Sequence, residues 1–286
     1  MGDVKVRLCG NRYGKSRVRL MKVTRGADGV HELREWNVQV LLQGDFETAH
    51  TEGDNSKVLP TDTMKNTVYS RAKASKAESM EEYAKELIEF LHGRNPQVSH
   101  AEVKIEQALW KRVSVDGKPH ATTFMHGSDE VQTTVVSRAK TGPWTIVSGL
   151  DGMHVLKTTK SGFAGFIQDD LTTLPETTDR LFGTVVKAEW TYNREAMDFN
   201  AVRGKIRETM LKCFAEHDSL SVQQTLYAMA EDAIKALPEL ETVKLTLPNK
   251  HCLLIDLARF GQENRNEIFV PTDEPHGTIE ATIVRA

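Results

Sequence analysis

Twice in this chain an amphipathic helix exits through a proline into an alternating strand, and that recurrence narrows the fold more than any other feature. Met80, Tyr83, Ala84, Leu87, Ile88 and Leu91 share one helical face. Gly93 and Pro96 end that helix, and HAEVKIEQ follows with Val103 and Ile105 alternating as a strand does, continuing to Leu109. In the second half Leu226, Met229, Ala230, Ala233 and Leu237 make another such face, Pro238 stops it, and LETVKLTL follows. Before each pair lie further strands: Trp36, Val38, Val40 and Leu42 in one half, Val186, Ala188, Trp190 and Tyr192 in the other. A helix carrying Phe199, Val202, Ile206, Met210 and Cys213 also belongs to the second half. The pattern predicts an α+β chain of two tandem units with antiparallel sheets, 1–139 and 140–286, joined at Lys140-Thr141-Gly142-Pro143. A single larger α+β domain is the alternative.

Composition removes several function classes. A chain of 286 residues can bury a sizeable core, and a net charge of -3 gives no electrostatic case for nucleic acid or an anionic membrane. No apolar run is long enough to span a bilayer. Cys9, Cys213 and Cys252 are far apart and lack CxxC spacing, so reduced thiols and a cytoplasmic location are expected. The ten histidines form no HxH or HExxH, which argues against a metal site. GxGxxG and GxSxG are also missing, so neither a dinucleotide nor a serine nucleophile is indicated.

Four stretches carry chemistry. Arg12-Tyr13-Gly14-Lys15-Ser16 ends like a phosphate-binding loop, but Gly10 lies one residue too near Gly14. Val18, Leu20 and Val23 then predict a strand, with a shift of phase at Met21, where a phosphate loop needs a helix. Lys15 is left as a lysine at a strand mouth. In Pro60-Thr61-Asp62, Thr61 and Asp62 are plausible caps of a modest helix. Ser221-Val222-Gln223-Gln224 fits a capping box, whose free N–H groups favour an anionic ligand although an ordinary cap explains them too. In Leu247-Pro248-Asn249-Lys250-His251 the strand period places Asn249 and His251 on the face of Val243, Leu245 and Leu247. Phe163, followed by the hydroxyl-rich run from Thr172 to Arg180, suits a flat polar heterocycle, stacked by the ring and clamped by the guanidinium.

RYGKSRVRLMKV, PTDTMKNTVY, GFAGFIQDDLTTLPETTDR, SVQQTLYAMAE, LPNKHCLLIDL and HGTIEATI, in register from about Arg12 onward, resemble the urate oxidase (uricase) family. The resemblance implies two tandem tunnelling-fold units, with helices packed on one face of each sheet. It further implies a homotetramer whose active sites lie at subunit interfaces. It implies oxidation of urate by O2 to 5-hydroxyisourate and hydrogen peroxide with no cofactor and no metal. Lys15, Thr61 and His251 match the family's catalytic residues, and Phe163 its stacking aromatic. Arg180 and Gln223 match the pair that grips the purine, with Val222 adding a backbone N–H. Asn249 would border the oxygen site, Leu174 would be apolar wall, and Asp62 would approach the ligand from the partner chain. Ala164 stands where many relatives carry a bulkier residue. Ile283-Val284-Arg285-Ala286 is not a peroxisomal tripeptide, in keeping with a cytoplasmic enzyme. The competing expectations are a tunnelling-fold enzyme acting on a pterin-like heterocycle and a purine-binding protein without activity.

Overall fold

A computed structural model describes residues 4–286, and the chain divides into two compact units. The first extends to Ser148 and takes in Glu195–Phe199; the second holds Gly149–Arg194 and Asn200–Ala286. In the first unit β1 (Tyr13–Arg25) and β2 (His31–Gly44) lead through short α1 (Glu47–Thr51) to α2 (Thr61–Ala74) and α3 (Met80–Arg94). The long strands β3 (Val98–Val115) and β4 (Lys118–Ala139) complete it, in sheet order β1-β2-β3-β4 and antiparallel throughout.

The expected helical face of α3 is buried along its whole length, from Met80 to Leu91, as are Trp36, Val38, Val40 and Leu42 of β2. The Tyr83 ring stacks on Trp36 at 4.9 Å, and its hydroxyl donates to the Val68 carbonyl of α2 at 2.8 Å. Burial holds that phenol above its usual range, so it stays a donor. Ser79 caps α3 by accepting from the Glu82 N–H at 3.2 Å, while the Glu82 carboxylate reaches back to the Glu78 N–H. Gly93 lies inside the last turn, and Asn95 closes it with its side-chain amide on the Leu91 carbonyl. Glu195–Phe199 belongs here because the Lys85 ammonium bonds to the Glu195 carbonyl and lies over the Trp144 and Phe199 rings.

The second unit repeats the succession of two strands, two helices and two strands. Its elements are β5 (Thr145–Lys157), β6 (Phe182–Tyr192), α4 (Phe199–Glu216), α5 (Val222–Ala236), β7 (Leu240–Lys250), the ribbon of β8 (Cys252–Leu254) and β9 (Phe269–Pro271), and β10 (Gly277–Val284). The sheet order is β5-β6-β7-β10. Helices cover one face: Phe214 of α4 packs on Phe182 of β6, and buried Arg203 of α4 lies over Trp190 and donates to the Gly149 carbonyl. Val243, Leu245 and Leu247 are buried on that side of β7. The tandem α+β architecture read from the sequence is the one observed. Among the described residues no helix is long and apolar enough to cross a membrane.

Two local readings are corrected. The shift of phase in β1 lies not at Met21 but at Ser16–Arg17, since pairing with β2 is regular from Val18 to Arg25. Thr61 and Asp62 do not cap α2: the helix begins at Thr61 itself, Pro60 holds the cap position, and no side chain bonds there.

Candidate active site

The first unit gathers Lys15, Thr61 and Asp62 through one tyrosine. Tyr13 donates its hydroxyl to the Leu59 carbonyl at 3.1 Å and accepts from the Leu59 N–H at 2.9 Å, clamping the approach to α2 against β1. Its ring sits edge-on to Phe46, and burial raises its pKa, which preserves the donor. Gly14 follows of necessity, because a Cβ there would fall 1.8 Å from the Val40 carbonyl oxygen. Lys15 comes next, half-buried, its backbone opposite Val40. Thr61 stands two residues beyond the clamp, and Asp62 is exposed in the first turn of α2. The Asp62 carboxylate is held below its usual range chiefly by its bond to Lys65, then by Asn66, with Lys15 adding to the pull.

The second unit builds its cluster on backbone. Residues 160–163 lie between two other segments of chain. On one side Gly162 N–H donates to the Ser219 carbonyl at 2.7 Å and Ser219 N–H to the Lys160 carbonyl at 2.9 Å. On the other, Phe163 and Thr177 exchange N–H···O bonds of 2.7 and 3.0 Å, and Arg180 N–H donates to the Ser161 carbonyl at 2.8 Å. This three-strand hook ties together the proposed stacking ring, the proposed clamp and the start of α5. Ser221 caps α5 by accepting from the Gln224 N–H at 3.1 Å, as the capping box requires. The Gln224 side chain, however, accepts from the Leu220 N–H and not from Ser221. Val222 is buried and Gln223 exposed in the first turn, where a helix has no internal acceptors for its N–H groups.

A cavity of about 410 Å³ opens at the end of β7, lined by Leu174, Arg180, Asn249, His251 and Phe269 among others. Asn249 lies between Thr184 of β6 and Gly277 of β10, and the His251 carbonyl is pinned by Thr272 through its N–H at 2.9 Å and its hydroxyl at 3.1 Å. The Arg180 guanidinium lies 5.5 Å from the centre of the Phe163 ring. Its Nε is buried with no hydrogen-bond partner among the described residues, and desolvation lowers its pKa. A partly buried cation with an unused donor, beside an aromatic face, is arranged for a planar anion. Leu174, half exposed, also lines this cavity. Phe166 stacks on Phe163 at 4.8 Å with ring planes 12° apart, so one face of the Phe163 ring is already taken. Phe166 lies in the same stretch of sequence as Phe163 but carried no expected role; Gly165, at φ +72°, turns the chain between the two rings. Among the described residues no three His, Cys, Asp or Glu side chains gather as a metal-binding group.

The Uricase family model matches residues 11–137 and 146–280. The chain belongs to the uricase family. It is 44% identical to the uricase of Arthrobacter globiformis, over 98% of this chain and 91% of that protein. It is 41% identical to the uricase of Dictyostelium discoideum over 98% of each. The crystal structure of the Arthrobacter globiformis uricase superposes with a TM-score of 0.93, covering 99% of this chain and 96% of that one. The urate oxidase of Bacillus sp. TB-90 shares the fold at a TM-score of 0.84 and 22% identity, over 96% of this chain and all of that one. Membership of the uricase family makes the chain an oxidoreductase of the urate oxidase class.

Proposed function

We propose that the chain oxidises urate with O2 and water to 5-hydroxyisourate and hydrogen peroxide, using neither metal nor organic cofactor. The observation that carries this reading is Arg180: a desolvated guanidinium with an idle Nε, over a phenyl ring and in a cavity with Asn249 and His251. Urate is flat, anionic and rich in acceptors, which is the chemistry such a group is short of. Phe163 stacks the ring, Gln223 and the Val222 N–H fix its orientation at the helix N-terminus, and Leu174 closes the apolar side.

In this scheme two electrons pass from urate to O2, a water oxygen adds to the purine carbon they leave, and two protons complete hydrogen peroxide. Lys15 withdraws a proton, Thr61 relays it to water, and His251 sets its direction, while Asn249 borders the oxygen. Asp62 stands beside this relay. Four copies assemble, and Lys15, Thr61 and Asp62 of one copy serve the cavity of its neighbour. The repeat units then correspond to 1–139 and 140–286, in a cytoplasmic protein.

The test is loss of urate absorbance, with oxygen uptake and peroxide measured together, in the presence of a strong chelator. Equal molar consumption of urate and O2, unaffected by chelator, is expected. Activity that chelation abolishes and an added metal restores would sink the cofactor-free reading. No turnover despite a urate-induced rise in melting temperature would leave a binding protein.

A further inference from the structure

The bulge in β1 is the one irregularity between the family's lysine and the regular part of the strand. Lys15 pairs with Val40 and Val18 with Val38, so two residues, Ser16 and Arg17, oppose Gln39 alone. Residues directly opposite in a ladder share a face. Val38 and Val40 both face the helices and are fully buried, so Lys15 and Val18 both take that side. In an unbroken strand, residues three apart point to opposite sides. If pairing ran on unshifted from Val18, Lys15 would face away from α2, as would Tyr13 with its clamp on Leu59. Arg17 holds the left-handed backbone that makes this extra residue fit, at φ 58°, where a non-glycine residue is uncommon. Gln39 fastens the bulge by donating its side-chain amide to the Ser16 hydroxyl at 2.6 Å. β1 packs against α2, and Lys15 is near enough to Asp62 to help hold its carboxyl below the usual range.

We infer that the Ser16–Arg17 bulge, held by the left-handed Arg17 and the Gln39–Ser16 bond, is the device that turns Lys15 onto the helix-bearing face beside Thr61 and Asp62. Arg17 and Gln39 are thus positioning residues for the reaction. This rests on the role given to Lys15 above. Blunting of an exposed strand edge is the other known use of a bulge, and it predicts altered association without altered chemistry.

Three variants separate these accounts, each checked for fold by circular dichroism and melting. Arg17→Val disfavours positive φ and is expected to cost about 10²-fold in kcat with little change in KM, and to shift the pH profile. Arg17→Gly keeps the left-handed conformation at no steric cost and is expected to stay near the parent in kcat. Deletion of Arg17 makes the ladder regular while leaving Lys15 opposite Val40, and it should recover much of what Arg17→Val loses. A folded Arg17→Val enzyme with parental kcat and pH profile, beside an inactive Lys15→Met, would overturn the inference and leave the role of Lys15 standing. An active Lys15→Met would remove that role instead. The bulge is then judged without turnover, by NMR of 13C-methylated Lys15: a signal that responds to Asp62→Asn in the parent but not in Arg17→Val supports it, and identical responses refute it.

Discussion

In the proposed scheme Arg180 and Lys15 divide the work differently, and substitution should expose the division. A lysine at position 180 keeps the charge but loses the planar fork that can engage two acceptors at once. Arg180→Lys is expected to weaken urate binding by roughly tenfold to a hundredfold, read as KM and by direct titration. With Lys15 as the proposed proton acceptor, which grips nothing in the ground state, Lys15→Met should lower kcat about 10²- to 10⁴-fold while urate affinity changes little. Parental turnover in that variant would take Lys15 out of the chemistry. Arg180 stands out in the sequence for its hydroxylated and aromatic neighbours, whereas the role expected of Lys15 comes only from the family resemblance. The conformation of Arg17 is not legible: nothing in Ser16-Arg17-Val18 distinguishes a bulge from an ordinary strand, and the mixed run Leu20-Met21-Lys22-Val23 invites the phase shift in the wrong place. The stacking of Phe166 on Phe163 is likewise not legible, since two aromatics three residues apart in a loop do not fix the orientation of their rings.

At the scale of elements, α5 is held at both ends by side chains from outside its own turns. Ser221 caps the start, and at the finish Arg285, beyond β10, donates to the carbonyls of Ile234 at 2.6 Å, Leu237 at 2.8 Å and Leu240 at 2.9 Å. Carbonyls left at a helix C-terminus need such partners, and a cation also suits the negative end of the dipole. Arg285→Ala should therefore lower stability by about 2 kcal/mol, measured by urea unfolding, and more than Ser221→Ala at about 1 kcal/mol. Ser221→Ala should also loosen the first turn of α5 and raise KM for urate, whereas Arg285→Ala, at the far end, should not. Periodicity made the helices and most strands readable, because each buries one face. β10 escaped it: Ile279, Ala281 and Ile283 alternate too weakly against Thr278, Glu280 and Thr282 to stand out until β7 is there to pair with. The hook joining Ser161, Thr177 and Ser219 had no local signal at all, being made of peptide groups far apart in sequence.

For the whole molecule, the succession of two strands, two helices and two strands occurs twice, each time with the same order in the sheet. The succession is legible from helix exits and alternation; the order within the sheets is not. Assembly does not follow from periodicity, and its test is functional. If the proton relay of one copy serves the purine grip of another, Lys15→Met and Arg180→Ala chains are each inactive alone but complementary. Co-expressed in equal amounts and assembled at random, half the relays and half the grips are intact, so about a quarter of the sites should be whole. Recovery of activity to that order, read as urate consumed per total protein, is expected; a mixture as inactive as its parts would place each site within a single copy.

The hook has a practical corollary. Because peptide groups and the Ser219 hydroxyl, rather than the side chains of Phe163, Arg180 or Gln223, set this spacing, exchanging any one of those three side chains should leave the other two where they were. An engineer seeking a different purine could therefore recolour the walls of this binding cleft without moving its frame.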